Sequence, residues 1–200
     1  MSQQRYDLAE YDSEEERRQD PQGPPLENQV AAAQYIGSKI QSEQGVYALM
    51  GGFALLLLGS RRATRDVDMV TDLQMRKVWA LVEGDPRLVI PTKKNVAKTV
   101  EVDIALPGVK GTPKNIRGAT ATIRNMSSLD VVHVLRGKLY HYADRQFDRD
   151  FEDILFLLRS YERDIVTGRK NLRESDVEAF LDSEDLSKGD RARFTQILLG

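Results

Sequence analysis

The chain has no cysteine, only two histidines and one tryptophan in 200 residues. The missing cysteine excludes disulfides and thiolate metal sites, and it suits the cytosol or the nucleus. No apolar leader follows Met1. The run Leu55 to Leu58 is far too short to span a bilayer, so a membrane role is not expected. There is no excess of one charge either: the formal net charge is −2, which gives no global basic field for nucleic acid. What remains is 40% hydrophobic content, which allows a real core, in 200 residues, which suffice for one main domain with a small helical companion.

Composition divides the chain. Residues 1–25 run from Tyr11-Asp12-Ser13-Glu14-Glu15-Glu16 into Pro21-Gln22-Gly23-Pro24-Pro25. With almost nothing to bury, this reads as a disordered acidic and proline-rich tail, ordered only by contact with something else, such as a second subunit in a homodimer. Residues 26–125 mix strand and loop patterns after a first helix over Leu26 to Ser42, and residues 126–200 read as helix. Within the last part Ser127-Ser128-Leu129-Asp130 reads as a capping box opening a helix, and Val132, Leu135, Leu139 and Tyr142 form its apolar stripe. A second helix from about Asp150 to Tyr161 buries Phe151, Ile154, Leu155 and Leu158. Ser175 to Glu178 reads as a further capping box, and a last helix starts near Asp190.

The richest stretch is Tyr47-Ala48-Leu49-Met50-Gly51-Gly52-Phe53-Ala54, followed by Arg62-Ala63-Thr64-Arg65-Asp66-Val67-Asp68. A buried strand leads into a glycine pair and a short helix, a turn at which backbone can approach a phosphate closely. Asp66 and Asp68 then open the next strand. Alternation sends both to one face and Val67 to the other, and two carboxylates held so close call for a hard divalent cation between them. A surface turn with both aspartates in water is the competing reading of that tripeptide. Farther on, Val100, Val102 and Ile104 alternate with Glu101 and Asp103, so a second strand carries acids on one face.

These blocks resemble the nucleotidyltransferase-fold superfamily, the polymerase-beta-like group in which a Gly-Gly or Gly-Ser turn leads to an Asp-x-Asp pair. They are similar to its minimal branch, which includes abortive-infection type toxin nucleotidyltransferases and the aminoglycoside and lincosamide nucleotidyltransferases. The resemblance covers roughly residues 44–160. It implies an α/β (α+β) fold: a mixed sheet flanked by helices, with a C-terminal helical bundle. It also implies a nucleoside triphosphate held by Mg2+, or by Mn2+ in its place, and transfer of a nucleoside monophosphate to a hydroxyl of RNA, protein or a small molecule.

Asp103 matches the family's third carboxylate, as a metal ligand or as acceptor of the attacking hydroxyl's proton, with Glu101 as its neighbour. The resemblance makes Asp66, Asp68 and Asp103 the catalytic and metal set, and Gly51, Gly52, Arg62, Thr64 and Lys138 the nucleotide set. Arg62 would clamp a phosphate or pair with an aspartate, and Thr64 would bond a phosphate or fix the turn. Lys138 would reach the phosphates or stay solvated. Arg61 and Arg65 flank the block as solvated charges. Asp150 and Asp153 would support the site or form an ordinary acidic helix start. Lys93, Lys94 and Lys98 read as hairpin charges, and Lys110, Lys114, Arg117 and Arg124 as either a local basic channel or a solvated face. Two-metal transfer of this type relies on positioning and electrostatics and needs no protein nucleophile. The alternatives are a nucleotide-binding or regulatory module without turnover, and a structural interaction protein of the same fold.

Overall fold

The computed structural model describes residues 5–7, 24–88, 90–93 and 100–200. In chain order the elements are β1 (Arg5–Asp7), α1 (Leu26–Ser42), β2 (Tyr47–Met50), α2 (Gly51–Leu57), β3 (Asp66–Thr71), α3 (Met75–Val82), β4 (Ile90–Lys93), β5 (Glu101–Ala105), β6 (Thr120–Ile123) and β7 (Met126–Leu129). Helices follow: α4 (Val131–Arg145), α5 (Asp148–Ser160), α6 (Glu162–Gly168), α7 (Glu174–Leu181) and α8 (Lys188–Leu198).

Five strands form one sheet in the order β5-β3-β2-β7-β6, mixed in direction: β2 runs antiparallel to β3, while β3 pairs with β5 and β2 with β7 in parallel. This is the mixed sheet flanked by helices that the motifs imply. The central strand β2 is buried on both faces, and β3 is buried on both faces beyond Asp68, so helices cover both sides of the sheet there. Tyr47, Leu49, Val67 and Met69 pack with Ala33, Ile36 and Ile40 of α1 and Val78 of α3. Ala48, Met50 and Val70 pack on the other side with Leu135 and Leu139 of α4 and Ile154 and Leu158 of α5. The aromatic rings of Tyr142, Phe151, Phe180 and Phe194 continue that second core through the bundle.

Three boundaries differ from the sequence reading. Residues 126–129 are not a helix start but strand β7, and the cap of α4 is Asp130, whose carboxylate accepts from His133 N–H at 2.9 Å. The strand wins because Met126, Ser128 and Leu129 are buried against the sheet, where Ser128 Oγ donates to the Leu49 carbonyl. The helix read as capped by Ser175 already begins at Glu174 after Arg173, with no side-chain cap. The last helix is capped by Ser187, which accepts from Asp190 N–H.

In the N-terminal segment, Arg5–Asp7 pairs in parallel with Ile90–Lys93 of the same chain. The remainder of that tail, residues 1–4 and 8–23, lies outside the described residues, as do Lys94 and Lys98. No helix among the described residues is long and apolar enough to cross a membrane.

Candidate active site

Because Val67 and Met69 point toward α1, Asp66 and Asp68 must share the opposite face, the one covered by α4 and α5. Val102 and Ile104 of β5, with Val100 just before it, pack on the α1 side, which leaves Glu101 and Asp103 on the face of the aspartate pair. The β3–β5 register sets Asp68 directly beside Asp103, and Asp66 beside Glu101. Neighbouring strands lie about 4.8 Å apart, so the three site carboxylates share one small area at the open end of two parallel strands.

Their mutual charge is felt. Asp68 is pushed up to about 7, first by burial and then by the charges of Asp66 and Asp103, against a smaller pull from Lys138 and Lys110. Asp66 is oriented by Thr64, whose buried hydroxyl donates to Asp66 Oδ1 at 2.9 Å. Thr64 therefore has a partner within the aspartate block itself. Gln29 of α1 holds the same turn by donating from Nε2 to the Thr64 carbonyl at 2.8 Å, a contact for which the sequence carries no local signal.

Gly51 has φ of +60°, and a Cβ there would lie 2.0 Å from Asp68 Oδ2. The residue is therefore fixed twice, by backbone conformation and by the close approach of a site carboxylate. At Gly52 a Cβ would stand 2.7 Å from Thr64 Oγ1. The glycine pair thus lets the β2–α2 turn nest against both the Asp68 carboxylate and the Thr64 hydroxyl.

Arg62 does pair with an aspartate, but with Asp153 of α5 and neither member of the Asp66/Asp68 pair. Its Nε and Nη2 donate to the two Asp153 oxygens, each at 2.9 Å. Lys138 is 7% exposed and reaches Asp153 Oδ2 at 2.8 Å and Asp150 Oδ1 at 3.2 Å. Arg145 completes the chain on Asp150 Oδ2 at 2.7 Å. Burial pushes the Asp150 carboxyl up, and Lys138 and Arg145 together pull it below the ordinary range.

Asp150 and Asp153 are thus neither solvated nor a simple acidic helix start; they are buried ion-pair partners. The signal was present: Asp150, Asp153 and Leu157 follow the i, i+3, i+7 stripe of the buried face, and Lys138 sits three residues after Leu135 on the stripe of α4.

Of the remaining basic residues, Arg61 is exposed and Arg65 half-buried. Lys93 closes β4. Arg117 pairs with Asp72 at 2.7 Å, and Arg124 sits in the turn between β6 and β7, at the sheet edge opposite β5. Lys110, Lys114, Arg117 and Arg124 therefore do not line one channel.

Beside the carboxylates lies a cleft of about 230 Å³. Met50, Ile104, Ala105, Leu106 and Val109 supply its apolar lining, and Asp68, Asp103 and Lys110 its charges. The donor chemistry suits a hard divalent cation, since three carboxylates on one face offer only oxygen and Asp68 already shows a deficit of positive charge. Among the described residues no group of three His, Cys, Asp or Glu side chains stands as a finished ligand cluster.

No family model and no curated protein matches the chain. Among solved structures it is similar to an antigenic nucleotidyltransferase-like protein from Paracoccidioides brasiliensis, with a TM-score of 0.62 and 20% identity. The match covers 87% of this chain and 94% of that one. Likeness at that identity concerns the fold: the protein has a nucleotidyltransferase-like fold.

Proposed function

We propose that the protein is a nucleotidyltransferase that moves a nucleoside monophosphate from a nucleoside triphosphate to a hydroxyl acceptor on RNA, protein or a small molecule. The observation that carries this reading is the β3–β5 register, with Asp68 beside Asp103 and Asp66 on the same face, next to the Gly51 turn. Asp66, Asp68 and Asp103 would hold Mg2+, with Mn2+ as a substitute. When bound, the ions supply charge stabilisation to the attacking and leaving oxygens of an in-line displacement.

The chain's own residues have separable tasks. Thr64 holds Asp66 in one orientation. Gly51 and Gly52 keep the β2–α2 turn free of side chains, so that backbone can lie against the phosphates as it lies against Asp68. Arg62 and Lys138 act mainly from behind: they fix α4 and α5 through Asp153 and Asp150, and Lys138 also brings positive charge to bear on Asp68. Asp103, exposed on an edge strand, is the carboxylate best able to meet an incoming hydroxyl.

A second reading, a module that binds the nucleotide without turnover, draws support from the carboxylates not standing as a finished ligand cluster. One experiment separates the two. The protein and its Asp66→Ala variant are incubated with magnesium, each of the four triphosphates labelled at the α-phosphate, and a cell extract as acceptor pool. Label transferred only by the intact protein supports transfer and identifies the acceptor class. Triphosphate binding without any transfer supports the module, and absence of both overturns the nucleotide reading.

A further inference from the structure

Lys110 occupies a position that the motifs do not single out. It lines the cleft with Asp68 and Asp103, is exposed, and has no hydrogen-bond or ion-pair partner among the described residues. The loop that carries it is not slack. Three of its four residues from Gly108 to Gly111 have positive φ: Gly108 at 81°, Lys110 at 52° and Gly111 at 77°. A lysine in that region of backbone space is uncommon and is held there only by its surroundings.

Two anchors hold it. The buried Thr112 hydroxyl lies within hydrogen-bond reach of the Val109 N–H and of the Leu106 and Val109 carbonyls, and Gly108 N–H donates to the Pro113 carbonyl. Gly111 is pressed onto α4, where a Cβ would meet Tyr140 Cβ at 2.8 Å and Gly137 Cα at 3.2 Å. The loop is therefore pinned to the helix at Gly137 and Tyr140, within two residues of Lys138.

The other site cations are differently placed. Arg62, Lys138 and Arg145 are all paired with Asp150 or Asp153, which are buried at 0% and 2% exposure. Turning one of them to a ligand would strip a buried carboxylate of its partner, a strongly unfavourable change. Lys110 can turn without breaking any such pair, and its long stem reaches from a fixed backbone.

We propose, resting on the nucleotidyltransferase reading, that Lys110 is the residue that contacts the triphosphate of the bound nucleotide, while Lys138 and Arg62 position the helices behind it. Lys110 then binds the phosphate chain and contributes nothing to recognition of the base or sugar.

The test measures binding of ATP, GTP, CTP and UTP, and of the matching nucleosides, to the wild-type protein, Lys110→Ala and Lys110→Arg with magnesium and no acceptor. The expected result is a loss of about tenfold or more in triphosphate affinity for Lys110→Ala, as for removal of a charged hydrogen-bond donor. Nucleoside affinity should stay the same and Lys110→Arg should recover most of the loss. Equal triphosphate affinity in Lys110→Ala overturns the inference and leaves the nucleotide reading standing. Equal losses for nucleoside and triphosphate overturn it too, since they mark a loop that has merely moved. A wild-type protein that binds no triphosphate overturns the nucleotide reading and this inference together.

Discussion

The Asp68 carboxylate rests against the backbone of Gly51, so close that any side chain at residue 51 would occupy the space of Oδ2. Gly51→Ala should therefore do two things: strain a backbone held at φ of +60° and drive Asp68 out of its place beside Asp103. The first effect costs about 1–2 kcal/mol. Gly59→Ala separates the effects, because Gly59 has φ of +98° with nothing within 4 Å of its Cβ position. Both variants should melt lower by thermal unfolding, but only Gly51→Ala should lose nucleotidyl transfer. Equal activity in the two would mean that the contact with Asp68 has no part in the reaction.

Asp68 predicts a pH dependence of stability. Its carboxyl is raised from 3.8 to about 7 in the folded protein, so the native state keeps a proton that the unfolded chain has already released. Stability contributed by this group is present below about pH 4, falls as pH rises toward 7, and is level beyond that. Asp68→Asn removes the charge, and should be more stable than wild type above pH 7, on the order of 2 kcal/mol given the partial screening of a half-buried side chain. The difference should vanish near pH 4 and shrink when magnesium is added to the wild type. Thermal melts at pH 4, 6 and 8 check it; a variant no more stable at pH 8 would mean that Asp68 carries no such repulsion.

What the sequence made legible follows from local rules. Alternation along Asp66-Val67-Asp68 and Val100 to Ile104 determines which side chains share a face, so the carboxylate face could be read without coordinates. The positive φ at Gly51 goes with the glycine pair itself. Pairing between distant residues was out of reach: nothing near Arg62 says that its partner is Asp153, 91 positions away. The same holds for Gln29 and Thr64. Ser127 and Ser128 misled because a serine-rich segment before a helix matches a cap pattern as well as a strand end, and only burial against Leu49 decides for the strand.

Lys138→Met should cost stability at neutral pH, about 3 kcal/mol, because it leaves Asp150 and Asp153 buried with one arginine each in place of a shared network. The deficit should be pH-dependent with the opposite sign to that of Asp68. Asp150 sits below its ordinary 3.8 in the folded protein, so its contribution is full above that value and is lost as pH falls through its lower folded value. Wild type and variant should therefore converge on acidification below pH 4. Urea unfolding across pH 3 to 7 measures this, and a constant difference would assign the loss to packing of the lysine stem.

Thr64 offers the sharpest separation of site from scaffold. Its hydroxyl donates to Asp66 Oδ1, so Thr64→Val keeps the shape and burial of the side chain but frees one carboxylate to rotate. Loss of one hydrogen bond costs about 1 kcal/mol of stability. Residues that orient a metal-binding carboxylate typically change metal affinity or activity about tenfold to a hundredfold. Thr64→Val should accordingly need higher magnesium for half-maximal activity while melting close to wild type, and Thr64→Ser should restore the magnesium response because it returns the hydroxyl. If valine and serine variants respond to magnesium alike, the threonine serves the turn alone. The orientation of Asp66 would then have to come from the strand register that sets it beside Glu101.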